Sequence, residues 1–435
     1  MKLLLFNPKK LVIIGVKTNY IKTKLTQETK YRENKTLSFQ NKKYRIMIEK
    51  LSHFPVNWID GMKINKSHFL SIQDNVSELV NDAIGIHTTP ISYGLLDSGN
   101  QNKEATKITL GIDNHKLLRV RVEECHAITP NGSRIEISKS NTDTLDLQVP
   151  YPEDTYEIKD GEQLVLLACI SVNSKKRIPF GEPDPDEVPP RYPYTQPEYK
   201  LHLIKAEEFR SGIGYGGFYL AIGKVLIGDT TVLDEDYIPP SVTVACHPKL
   251  VDMQAQIARS FGQIEIYAVQ ISQKINRAQE SGILSQTVMQ LADNTGYFLG
   301  SCLTQFRWFS LHQHPASMLG TVVSFARVMK NFIDSKSGAG KEELLNYFAE
   351  WCDISQGDLE IMFTTVINAG YDHVHIDKTV SLVMSTLTKI EKLFETLSKL
   401  DYIGKKKENI ELFVAETDKK DIIHNPKRHG FFIKD

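Results

Sequence analysis

Two short segments hold residue types that could do chemistry. Residues 335–342 read SKSGAGKE. That is close to a phosphate-binding loop, where glycine amides cradle phosphate, a lysine neutralises it and a hydroxyl holds magnesium. The order required is G-x-x-x-x-G-K-[ST], between a buried strand and a helix. Here Ser335 replaces the first glycine, Glu342 replaces the hydroxyl, and a helical pattern precedes the loop. Glu342 would repel phosphate, so the segment reads as a flexible linker between helices. Residues 371–377, YDHVHID, offer two histidines and two carboxylates, and His312 and His314 could join them around a metal. Yet H-x-H in a loop is not a zinc spacing, and neither H-E-x-x-H nor a Cys/His pairing occurs. Asp377 precedes an apolar-periodic run and is expected to cap that helix, accepting hydrogen bonds from its unpaired amides. No G-x-S-x-G elbow is present, and no cysteine sits near a His/Asn set. The acidic pair Glu123 and Glu124 is expected to face solvent, and Lys405, Lys406 and Lys407 form a solvated turn. No catalytic residue, metal or cofactor is expected.

Composition points the same way. The chain has 435 residues, 41% hydrophobic and 24% charged, with a net charge of −1. Two or three domains fit that length, and no global basic field favours nucleic acid or membrane. Residues 1–46 carry twelve Lys or Arg against Glu28 and Glu33, so this leader is +10 and the remainder −11. No stretch is long and apolar enough to span a bilayer. Met47 is the expected true start, with the leader disordered or a mis-assigned extension. Five cysteines lie 44, 77, 56 and 50 residues apart. An odd number without C-x-x-C argues against a zinc ribbon or a disulfide framework, and fits a reducing cytoplasm.

Strand signals run from about Tyr93 to Val244. Residues 107–112, 118–122 and 134–137 alternate, and 163–172 form a continuous apolar run suited to a strand buried on both faces. Pro130-Asn131-Gly132-Ser133 is a tight hairpin turn, because Asn-Gly tolerates positive φ. The pattern predicts an antiparallel β-sandwich. Residues 179–197 hold seven prolines. They predict a long surface loop, with Arg191, Tyr192 and Tyr194 suited to a partner interface. After Pro239-Pro240 the period changes. Leu250, Met253, Ile257, Phe261, Ile264, Ala268, Ile271 and Ile275 form a helical seam, followed by a second seam from Leu284 to Phe306. Further helices are expected from Pro315, over 342–351, 358–368 and 378–400. Isoleucine-rich seams fit either a multi-stranded coil between protomers or an intramolecular bundle.

Residues 54–74 read FPVNWIDGMKINKSHFLSIQD: an extended lead-in, a turn at Gly61 and a helix opened by Asn65 or Ser67. Val56, Trp58, Gly61, Met62, His68 and Phe69 in this order resemble the opening signature of TssK, the trimeric baseplate adaptor family of type VI secretion systems. Five further landmarks follow in the family's order. They are Tyr93-Gly94-Leu95, the 128–133 hairpin, Tyr237-Ile238-Pro239-Pro240, His314-Pro315 and Tyr371-Asp372-His373. Lys63 and Leu70 depart from the family pattern.

The resemblance implies an α+β multidomain chain. Residues 47–245 would form a β-sandwich shoulder, 246–334 a helical neck, 335–401 helices completing the bundle, and 402–435 a short charged tail in place of a full head. It implies a non-enzymatic, cytoplasmic homotrimer at the inner face of the envelope. Its shoulders would grip the wedge proteins TssF and TssG, and its other end would meet a membrane-complex component. No nucleic acid or direct membrane insertion is implied. Trp58, Gly61, Met62, His68, Phe69, Arg191, Tyr192 and Tyr194 are the expected wedge contacts. Leu250, Met253, Ile257, Phe261, Ile264, Ile271 and Ile275 are the expected oligomerisation residues. A phage-type receptor-binding protein recognising a glycan, and a β-sandwich carbohydrate-active enzyme, are the competing readings.

Overall fold

The computed structural model describes residues 50–97, 105–112, 117–138, 145–150, 163–209, 216–228, 230–279, 282–352 and 354–405. The basic leader and the tail beyond residue 405 lie outside them. A compact unit runs from Lys50 onward. It is α+β, with two antiparallel sheets and, among the described residues, seven α-helices.

The alternating run at 118–122 lies in β3 (Leu117–Ile128), the spine of the first sheet. On one edge it pairs with β1 (Gly94–Leu95) and β2 (Thr106–Ile112). On the other it pairs with β4 (Arg134–Ile137) and β5 (Leu145–Pro150). The register slips between Lys107 and Ile108, which leaves Glu123 opposite no β2 residue. That extra residue keeps Val122 and Cys125 both inward, as a β-bulge does. The second sheet runs β7 (Tyr194–Lys205), β6 (Leu164–Phe180), β8 (Tyr219–Ile227), β9 (Thr231–Leu233). The two sheets share one hydrophobic cluster, Leu118, Val120 and Val122 facing Ala168, Ile170 and Ile222. β6 is buried on both faces, as its apolar run predicts. Leu167 and Cys169 pack on its outer side with Tyr237 and Val374.

The 179–197 segment differs from its expectation as a loop. Its ends are strand: Pro179 opposes Thr195 and Pro197 opposes Arg177 in a β6–β7 ribbon. β8 pairs with β6 only as far as Ser171. Beyond that point the ribbon has two strands and open edges, where prolines without an N–H donor cost no ladder bond.

Six helices make the second body: α2 (Pro248–Ala278), α3 (Ile283–Phe309), α4 (Pro315–Ser335), α5 (Ala339–Cys352), α6 (Gln356–Asn368) and α7 (Ile376–Lys399). The seam read at 250–275 faces inward on α2, with Gln254 taking the buried place next to a half-buried Met253. Gln254 Nε2 donates to Ser310 Oγ at 3.0 Å. Leu250, Ile257, Phe261, Ile264, Ile271 and Ile275 are covered by the chain's own helices, in one cluster with Val288, Phe325, Phe348 and Phe394. This corrects their reading as contacts between protomers: one chain already removes them from water, so they form the intramolecular bundle.

Candidate interaction surface

The opening motif carries a dense run of exposed apolar side chains. Met62 N donates to Ile59 O at 3.1 Å to close the turn, in which Gly61 takes φ +78°. Asn65 then caps α1 (Lys66–His87), its Oδ1 accepting from Ser67 N at 3.0 Å, and His68 completes a capping box. Trp58 and His68 meet edge to face at 5.9 Å. Trp58 remains 50% exposed and Phe69 60% exposed, while Met62 is half-buried. Of the twenty-six exposed large apolar side chains among the described residues, eleven lie within residues 51–86. That density sets the segment apart from the scattered single exposures usual on a monomer.

A polar clamp, not read from the sequence, holds this surface. The amides of Ser52 and His53 each donate to Glu78 Oε2 at 3.0 Å, and the His53 ring meets Oε1 at 2.8 Å. Asn75 Nδ2 donates to His53 O at 2.9 Å. These bonds, led by the Ser52 hydroxyl and followed by the backbone and ring of His53, push the Glu78 carboxyl down to about 2. Arg177, on the β6–β7 ribbon, donates to Gln73 and Asp74 of α1. The ribbon and the helix are thereby tied together.

The clamp carries a pH dependence. A depressed carboxyl stabilises the folded form fully above its ordinary value of 4.5 and loses that contribution as pH falls toward 2. Amide protection at Ser52 and His53, measured by hydrogen exchange, is expected to fade over that window. In Glu78→Gln it is expected to be reduced already at pH 7. Equal protection in both proteins would contradict the clamp.

At the ribbon tip, Arg191 is engaged locally, its Nε donating to Glu187 Oε2 at 2.7 Å. Tyr194 tilts over Phe180 at 6.4 Å and is 66% exposed, and Tyr192 is exposed. The link from this group to the Trp58 group runs through Arg177.

The other five landmarks converge on the joint between sheets and helices. Gly94 pairs with Ile128 of the hairpin strand. Leu95 N donates to Pro240 O at 2.7 Å, and Val242 N donates to Leu95 O at 3.0 Å. His314 Nδ1 donates to Val242 O at 2.6 Å. His373 Nε2 donates to Tyr93 O at 2.8 Å, and its Nδ1 accepts from the Tyr371 hydroxyl at 2.7 Å. Burial lowers the His373 imidazole to about 4, so it is neutral, as those two bonds require. Of the histidines that resembled metal ligands, His314 and His373 thus hold the fold.

Asp377 also differs from its expected role. The N-cap of α7 is His375. Asp377 Oδ2 instead accepts from Lys224 Nζ at 2.8 Å, and Lys224 also meets Asp234 at 2.7 Å. Burial opposes the Lys224 charge, yet the two carboxylates outweigh it and raise its pKa. In the former phosphate-loop candidate, Lys341 pairs with Asp334 at 2.9 Å and Glu360 at 2.6 Å. No group of three or more His, Cys, Asp or Glu among the described residues is placed to hold a metal. No described helix is long and apolar enough to cross a membrane.

No family model and no curated protein matches the chain. Solved structures do. A crystal structure of TssK aligns at 13% identity and TM-score 0.44, over 77% of this chain and 68% of that one. A chain of the type VI secretion baseplate complex aligns at 11% identity and TM-score 0.44, over 78% and 100%. A chain of the TssK–TssF–TssG baseplate subcomplex, solved by cryo-electron microscopy, aligns at 10% identity and TM-score 0.41, over 78% and 99%. The solved structures to which this chain is similar are thus TssK and type VI secretion baseplate assemblies.

Proposed function

We propose that this chain is a non-enzymatic structural adaptor of a type VI secretion baseplate. In this reading the two sheets are a sandwich shoulder and the six-helix bundle is the neck. Three copies assemble, and their shoulders grip wedge proteins of the TssF and TssG kind. The opposite end faces a membrane-side component, at the cytoplasmic face of the envelope. The observation that carries the reading is the apolar surface of residues 51–86, clamped in place by Glu78 and Arg177. Such a surface joins molecules. The order of the six landmarks supports the family, and five of them meet at one joint although up to 280 residues separate the contacting pairs. Three linked copies of a modest contact bind far more tightly than one, through high effective concentration.

The test is capture of co-expressed TssF and TssG from the same gene cluster by the tagged chain. Trp58→Ala combined with Ile59→Ala removes two exposed side chains and leaves the core untouched. It is expected to weaken capture roughly tenfold or more, as loss of an aromatic anchor does. A native chain that captures neither protein would overturn the proposal.

A further inference from the structure

The helical bundle carries a groove that the adaptor reading leaves unused. Helices α2 and α7 form its walls, and it holds about 490 Å³. It opens beside the last turns of α2, about 40 Å along that helix from Pro248 at roughly 1.5 Å per residue. No residue of the 51–86 segment lines it. Three of its lining side chains, Lys274, Arg277 and Lys399, are cations, and none is an acid. The unpaired carbonyls at a helix C-terminus would repel an anion. Here they are covered. Lys274 Nζ donates to Ser398 O at 2.6 Å and to Leu400 O at 3.1 Å, at the end of α7. An ammonium has three N–H bonds, so one remains. Lys399 is paired with Glu395 at 2.6 Å. Arg277 has neither an ion pair nor a hydrogen bond among the described residues. Lys274 and Arg277 therefore supply the uncompensated charge.

We infer that this groove binds a short acidic peptide segment of a partner protein, with its carboxylates on Arg277 and Lys274. Arg277 offers a planar fork that fits one carboxylate with two hydrogen bonds. From Tyr267 to Arg277 the α2 wall is about 15 Å long. That is the span of four or five extended residues at roughly 3.3 Å each. Gln270 and Gln273 line the wall between those ends, and an amide side chain both donates to and accepts from a peptide backbone. No aliphatic side chain lines the groove, whereas a helix lying on a membrane sets apolar side chains into the lipid beneath its cations. The chain's own residues 406–435 are a poor source of the acid, because they hold seven Lys or Arg against six Asp or Glu.

Fluorescein-labelled hexaglutamate, titrated with the full chain and followed by fluorescence anisotropy, tests this. Saturable binding is expected. Arg277→Glu is expected to weaken it roughly tenfold or more, as loss of a hydrogen bond between charged groups does. Arg277 is exposed, so the substitution leaves the fold intact. Arg259→Glu is the matched control: it reverses another exposed cation of α2, outside the groove, and is expected to change binding by no more than about twofold, the scale of an exposed ion pair. The same comparison exposes any attraction of the peptide to the basic leader, which both variants share. Equal affinities of the two variants, or no binding by the native chain, overturn the inference. Arg277-dependent binding of phosphatidylserine vesicles without binding of the peptide also overturns it, and gives the groove to a lipid headgroup. Capture of TssF and TssG is measured separately and is expected to survive Arg277→Glu, so failure here leaves the adaptor reading standing.

Discussion

Gly94→Ala is expected to destabilise the chain by about 4 kcal/mol or more, enough to put it among the most damaging single substitutions. Gly94 has φ +117°, a conformation that costs a side-chain-bearing residue on the order of 1–3 kcal/mol. A Cβ there would lie 2.0 Å from Pro240 O and 2.6 Å from Ser241 N. Both are backbone atoms, so no side chain can swing aside. Relief requires β1 to move away from Pro240. That breaks the bonds from Leu95 N to Pro240 O and from Val242 N to Leu95 O, each worth about 1 kcal/mol. The next residue back is Tyr93, whose carbonyl holds His373. One methyl group therefore loosens the joint between both bodies. Gly111→Ala is the control, since a Cβ there meets nothing within 4 Å. Urea denaturation of both variants checks the prediction. A Gly94→Ala midpoint equal to that of Gly111→Ala would contradict the geometry.

The same joint shows what a sequence reading can and cannot deliver. Tyr93-Gly94-Leu95, Tyr237 to Pro240, His314-Pro315 and Tyr371 to His373 were legible as marks along the chain. Their meaning was not, because each mark's partner lies far away in sequence. Asp377 failed for that reason too. A local rule made it a cap, while Lys224, 153 residues earlier, claims its carboxylate. The strands at 118–122 and 134–137 and the α2 seam were legible because burial on one face imposes a period of 2 or 3.6. Period alone does not say whose surface covers the face. The seam at 250–275 therefore also admitted a contact between copies, and the structure gives it to α3, α4 and α7. The proline-rich segment read as a loop because a central strand excludes proline; an isolated ribbon does not. In α1 an apolar stripe of Phe69, Ile72, Val76, Leu79, Ala83 and Ile86 stands in the sequence at spacings of 3, 4, 3, 4 and 3. It goes unread because an apolar stripe is assumed to face inward, and only the clamp on the opposite side shows that it does not.

Ile264→Glu separates the two uses of an apolar seam. If Ile264 lay between protomers, a charge there would release soluble, folded monomers. The structure buries Ile264 completely within one chain, between Phe261 and Ala268 on the α2 seam. A glutamate at a fully buried apolar site takes up a proton rather than remain charged, with pKa shifts of up to about 4 units. At 1.36 kcal/mol per unit, that is roughly 5 kcal/mol of destabilisation. The lost burial of the isoleucine adds about 2 kcal/mol. The sum is comparable to the whole stability of an ordinary domain, so the variant is expected to lose its helical circular dichroism or to accumulate as insoluble protein. Ile266→Glu, two residues along the same helix, is the matched control. Ile266 is 49% exposed, so its replacement is expected to leave the helical signal unchanged and the chain soluble. A soluble, fully helical Ile264→Glu monomer would return the seam to the interface between copies. It would also require the six helices to pack differently from the arrangement in which Phe261 lies edge-on to Phe306 and Phe325 at 5.6 and 5.7 Å.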